Sequence, residues 1–128
     1  MRDEAGRTAK LCARIADDKK AEHVVVLRMR ELILLTDYFV IASGTNPRQV
    51  QAIADEIIRS MKDLNVSCLG MEGLVEGRWV LLDYGEVVVH VFDRATRDFY
   101  DLDHLWADAP RVRWRTTPRT TAEKGKSP

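Results

Sequence analysis

The chain has little of several things that would mark it out. It holds two cysteines, four prolines and seven glycines in 128 residues. Cys12 and Cys68 form no C-x-x-C pair, and no histidine stands at ligand spacing from either. A disulfide framework and a structural zinc site are therefore excluded, and free thiols fit a reducing compartment. Aliphatic runs such as Val24-Val25-Val26-Leu27 are far too short to cross a bilayer. Arg2, Asp3, Glu4 and Arg7 interrupt any apolar leader, so the expectation is a soluble, cytoplasmic protein with no membrane partner. Excess charge is missing as well: 20 Lys+Arg stand against 20 Asp+Glu. That balance argues against a folded surface that grips polyanions by bulk charge.

What remains is ordinary globular material, 45% hydrophobic and 31% charged, at a length that suits one domain with a core of its own. The charge is unevenly placed. Residues 107–128 carry six basic and two acidic residues, whereas the rest holds 14 basic and 18 acidic. The expected organisation is a domain over 1–109 and a basic, disordered tail over 110–128, in which Val112 and Trp114 could dock locally.

Periodicity supplies the elements. Ala9, Leu11, Cys12, Ile15 and Ala16 predict an amphipathic helix over 5–17. Val24 to Met29 reads as a strand, and 32–43 as extended chain with Phe39 and Ile41 on one side and Tyr38, Val40 and Ala42 on the other. Apolar on both faces, that stretch should lie inside a sheet covered on both sides. Asn46-Pro47 opens the clearest helix, with Gln49 completing a capping box and Val50, Ile53, Ile57, Met61 and Leu64 on one stripe. Val66–Met71 is a short strand candidate. Arg78–Tyr84 and Val87–Phe92 are paired across Gly85-Glu86. A last helix from about Thr96 should bury Phe99, Leu102, Leu105 and Trp106 and stop at Pro110. The fold class is α/β, a mixed β-sheet flanked by helices.

Signatures of chemistry are scarce. There is no phosphate-cradling glycine loop with lysine, no G-x-S-x-G elbow and no H-E-x-x-H. Ser43-Gly44-Thr45 between a strand and a helix faintly suggests nucleotidyl transfer. The following acids, Asp55 and Glu56, are however adjacent on a helix and cannot converge on one metal. Asp98, Asp101 and Asp103 read as a solvated helix face, His90 as a core or interface histidine, and Cys68 as a small buried hydrophobe. Trp79, Asp83 and Tyr84 fit either core packing or an interface; Asp83 ends an apolar strand face with a charge that needs water or a partner.

Several blocks are distinctive together. Thr36-Asp37-Tyr38-Phe39-Val40-Ile41-Ala42-Ser43-Gly44, Arg48-Gln49-Val50 with Ala52-Ile53, and Glu72-Gly73 lie in order along the chain. Gly77-Arg78-Trp79-Val80-Leu81-Leu82-Asp83-Tyr84-Gly85, Val87–Phe92, and Arg97-Asp98-Phe99-Tyr100-Asp101-Leu102 with Leu105-Trp106 follow. In order and spacing they resemble the ribosomal silencing factor (Iojap) family over residues from about 10 to 110. The resemblance implies a nucleotidyltransferase-like fold lacking the catalytic carboxylates, no enzyme activity and no cofactor. It implies a translation repressor that binds the large ribosomal subunit through universal ribosomal protein fourteen and blocks joining of the small subunit, with a homodimer off the ribosome. Large-subunit assembly, or RNA binding by the basic tail, is the alternative. Trp79, Asp83 and Tyr84, with Tyr38 and His90 as neighbours, are the expected contacts. Arg28, where many relatives carry an acid, and the apolar stretch Leu32–Leu35 depart from the family's usual pattern.

Overall fold

The structure, a computed structural model, describes residues 3–115. Its elements run α1 (Glu4–Asp18), β1 (Glu22–Arg28), β2 (Tyr38–Gly44), α2 (Pro47–Asp63), β3 (Gly70–Glu72), β4 (Trp79–Asp83), β5 (Val87–Asp93), α3 (Arg94–Tyr100) and α4 (Leu102–Leu105). The strands form one five-stranded sheet in the order β1-β2-β5-β4-β3, with β2 parallel to β5 and every other pair antiparallel.

The two long helices start on side-chain caps. The Asp3 carboxylate accepts the Gly6 N–H at 2.9 Å, and Asn46 Oδ1 accepts the Gln49 N–H at 2.9 Å. The expected return arm of the capping box is displaced by one residue: Gln49 Oε1 accepts from the Thr45 N–H rather than from that of Asn46. Asn65 closes α2 with φ of 60°, the left-handed stop its identity suggests. The buried stripe of α1 is small (Ala9, Cys12, Ala13, Ala16), so this helix lies close to the sheet, whereas α2 brings Val50, Ile53, Ile57 and Met61.

Alternation divides the sheet. Val26, Tyr38, Val40, Ala42, Val80, Leu82, Tyr84, Val87, Val89 and Val91 face α1 and α2 and form the larger core. Leu27, Met29, Phe39, Ile41 and Phe92 face the other way, beneath Leu102 and Ala109, with Ile33, Trp79, Val88 and Trp106 packed at the margin. Every residue of β2 is buried, as its two apolar faces require.

Four expectations need correction. The chain between β1 and β2 is not extended over 32–37. Met29 C=O accepts the N–H groups of Leu32 and Ile33, so the backbone turns, as an antiparallel return to β2 demands. The strand expected over 66–71 shrinks to three residues beside β4. The last helix is two, because Asp101 adopts φ of 50° and re-aims the chain. Leu102 and Trp106 then reach the core, while Phe99 and Leu105 point to solvent. Finally, the fold continues past Ala109, through the local docking expected of Val112 and Trp114. Arg111 bridges to Leu27, the Val112 N–H donates to Val26 C=O, and Trp114 is buried with its indole N–H on Val24 C=O. A large apolar ring with a satisfied polar atom is enough to hold this strap along the β1 edge, which it covers. The remainder of the expected tail, 116–128, lies outside the described residues.

Candidate functional site

Gly85, at φ of 85°, lets β4 turn back into β5, and the Tyr84 N–H closes the turn on Val87 C=O. The register places Trp79 opposite Phe92, Leu81 opposite His90 and Asp83 opposite Val88. These six side chains share the face turned away from α1 and α2. The segment from α3 to Ala109 covers only part of that face, so Trp79, Leu81, Asp83 and Val88 remain half-buried.

Trp79 is held from three sides. Its ring lies 4.8 Å from that of Phe92 and 4.7 Å from that of Tyr100, centroid to centroid, and its Nε1–H donates to His90 Nδ1 at 3.2 Å. Gly73 lets the chain pass against the Trp79 backbone: a Cβ there would lie 2.0 Å from the Trp79 carbonyl oxygen, and its φ of 83° is one that residues with side chains rarely adopt. His90 lies underneath, buried, with Phe39 edge-on at 4.6 Å. Burial alone holds its imidazole down to about 4, so it is neutral at physiological pH. Because Nδ1 accepts from Trp79, the proton sits on Nε2, and that buried atom has no hydrogen-bond partner among the described residues.

Asp83 is less free than its sequence position suggests. Its Oδ1 accepts the Gly85 N–H at 2.8 Å and so braces the hairpin. Around the patch, Tyr100 is half-exposed. In the β1–β2 loop, where Ile33 packs on the same cluster, Leu34 is 100% exposed and Leu35 91%.

The five residues expected as contacts do not form one surface. Trp79, Asp83 and His90 share the open face. Tyr38 and Tyr84 are buried on the opposite face, under the long helices. The Tyr38 hydroxyl donates to Asp3 at 2.6 Å and accepts from Arg30, tying β2 to the cap of α1. Among the described residues the Tyr84 hydroxyl has no partner, and burial raises its phenol above the ordinary range. Sequence reading missed Leu81, Val88 and Tyr100. Strand alternation with Trp79 and His90 was the signal available for the first two, and nothing in the sequence announced the third.

The cysteines also divide. Cys12 is buried and its thiol pushed up to about 12 by desolvation, whereas Cys68, expected inside, is exposed beside the short β3. Asp103 is not a freely solvated acid. It pairs with Arg97, which is 8% exposed and also donates to His23 C=O and Ser43 Oγ. Asp55 is exposed, and Glu56 pairs with Arg59 on α2, so neither converges with Ser43 on one ion. Among the described residues no group of three or more His, Cys, Asp or Glu could hold a metal, and no helix is long and apolar enough to cross a membrane.

A family model described as ribosomal silencing factor during starvation matches residues 2–128. The chain is 46% identical over 101 residues to ribosomal silencing factor RsfS of Bacillus subtilis, covering 79% of this chain and 86% of that protein. It is 45% identical over 102 residues to the RsfS of Halalkalibacterium halodurans, covering 80% and 87%. A crystal structure of a Chromobacterium violaceum protein superposes with a TM-score of 0.78 at 36% identity, covering 84% of this chain and 88% of that one.

Proposed function

Since the chain belongs to the ribosomal silencing factor family, whose members are ribosome-associated regulators and not enzymes, we propose that it docks on universal ribosomal protein fourteen of the large subunit through the open face of its sheet. Seated there, the bulk of the domain occludes the small subunit and lowers translation when nutrients are short. The protein acts in the cytoplasm.

One observation supports this placement above the rest. Trp79, with Leu81, Val88 and Tyr100, forms an apolar, aromatic patch that the chain's own helices leave half-covered. Tryptophan and tyrosine at the centre of such a patch are the residues that carry most of the affinity in protein interfaces. Tyr38 and Tyr84 drop out as direct contacts because both are buried on the far face. The same patch could be covered by a second copy of the chain off the ribosome, and a homodimer is part of this reading.

Co-sedimentation with purified large subunits tests it. Trp79→Ala should weaken binding more than about tenfold, because a central aromatic anchor typically carries over 2 kcal/mol. Asp83→Asn, which keeps an acceptor for the Gly85 N–H, separates a contact role of the charge from its role in the turn. A subunit-joining assay then reads the consequence. If Trp79→Ala stays folded and binds as well as the parent protein, this face is not the docking site.

A further inference from the structure

The indole of Trp79 has one polar atom, and the fold has already used it. The Nε1–H points inward to His90 Nδ1 at 3.2 Å, while Phe92 and Tyr100 bracket the ring. His90 itself is 4% exposed and cannot touch a docked partner without rearrangement. Making this bond forces the imidazole proton onto Nε2, which is buried without an acceptor among the described residues. A phenylalanine would remove the Nε2 orphan but leave the Trp79 N–H without its acceptor, so the two side chains are close in what they give to stability. What it supplies and phenylalanine does not is an acceptor beneath the indole.

We propose that His90 is a positioning residue for ribosome docking: it withdraws the only polar atom of Trp79 from the open face and fixes the ring, so that the partner meets Trp79 with an apolar pocket offering no hydrogen-bond acceptor. This rests on the docking reading above and adds to it the chemistry of the complementary surface. Freed from His90, the indole gains rotational freedom that docking must remove, and its N–H must be desolvated against an apolar wall.

A double-mutant cycle on purified large subunits tests the proposal. His90→Phe should weaken docking about fivefold, the scale of one pre-organising hydrogen bond. Its thermal midpoint should stay close to that of the parent protein, so that docking falls without a matching loss of stability, which a merely structural role would not produce. His90→Asn, whose Oδ1 occupies the place of Nδ1, should restore docking to within about twofold. In a Trp79→Phe background, which has no indole N–H, His90→Phe should add nothing. Equal losses in both backgrounds, or normal docking by His90→Phe while Trp79→Ala fails, overturn the positioning role and leave the docking face standing. Normal docking by Trp79→Ala removes both. Should His90→Phe fold poorly, His90→Leu takes its place. Independently, the Trp79 indole proton in the parent protein should exchange slowly with solvent; exchange at the rate of a free indole overturns the proposal.

Discussion

Replacing Arg97 with methionine isolates what a buried guanidinium does for this fold. Methionine keeps the unbranched stem and removes every donor. Four bonds disappear: two to Asp103 at 2.9 and 3.2 Å, one to His23 C=O at 2.7 Å and one to Ser43 Oγ at 2.8 Å. Breaking a buried ion pair from one side costs about 3–5 kcal/mol, chiefly because the other charge is left uncompensated. The side chain of Asp103 is 27% exposed, and Arg111 stands 3.9 Å away, so water and a second cation relieve part of that cost. The expected loss is therefore at the low end, about 3 kcal/mol. With a urea slope of roughly 1.5 kcal/mol/M, the unfolding midpoint falls by about 2 M. The acid limb supplies an internal check. Burial pushes the Asp103 carboxyl up, but the hydrogen bonds and charge of Arg97, helped by Arg111, outweigh it and hold the group below the ordinary value. Its pairing thus contributes stability above the unfolded pKa of about 3.9, and this is lost as pH falls through the folded value. In Arg97→Met burial is left much less opposed, the folded pKa rises, and protonation then favours the fold. The deficit between variant and parent should shrink as pH falls from about 6 to about 3. A loss below about 1 kcal/mol at neutral pH, or a deficit that does not change with pH, would refute the reasoning. Because α3 carries Tyr100 against Trp79, docking should weaken along with stability here, unlike the pattern expected for His90→Phe.

Two further outcomes follow from the same geometry. His90 is held down to about 4 in the fold against about 6.5 unfolded, so the unfolded chain binds the extra proton between those values. Stability should fall as pH drops through that window, by at most about 1.4 kcal/mol per unit, and His90→Phe should flatten that slope in urea melts at stepped pH. Trp114→Ala should cost about 3 kcal/mol, since a buried indole and its bond to Val24 C=O go together. A tail deletion meant to test a salt-dependent contribution from ribosomal RNA must therefore begin after Arg115. An unchanged salt slope of ribosome binding in that variant would leave the tail no part in docking.

What was legible in the sequence was what repeats. Alternation along Arg78–Tyr84 and Val87–Phe92 correctly separated Trp79, Leu81 and Asp83 from Val80, Leu82 and Tyr84, because strand geometry allows only two faces. The spacing from Val50 to Met61, with Asn46 before it, placed α2 because a cap and a stripe agree. What was not legible depends on single residues whose conformation the neighbours decide. Asp101 in the left-handed region splits one helix into two and sends Phe99 and Leu105 outward, although the apolar spacing runs smoothly through it. Cys68 lies in an irregular stretch just before the three-residue edge strand β3, where no layer covers it. In a tail rich in arginine and proline, Trp114 was legible as a residue that could dock, but how far its docking orders the chain around it was not, because that depends on Val24 and Val26 offering their carbonyls.

The two faces of the sheet also use their polar atoms differently, and this bears on what the open face can recognise. On the closed face the Tyr38 hydroxyl is consumed by Asp3 and Arg30, so its hydrogen bonds fasten a helix to a strand. On the open face the Trp79 N–H, Asp83 Oδ1 and His90 Nδ1 are likewise bonded within the chain. An indole and an imidazole already paired with each other offer a partner area and shape more than hydrogen bonds. In the proposed docking, affinity comes mainly from burying Trp79, Leu81, Val88 and Tyr100, which is entropically driven near room temperature and weakly screened by salt. Of the 20 basic residues, those at 111, 113 and 115 lie on the surface of the strap along the opposite sheet edge, at β1. On the proposed docking reading a neutral average charge is compatible with a ribosomal partner, because most of the patch is apolar; Asp83→Asn tests what the Asp83 charge adds.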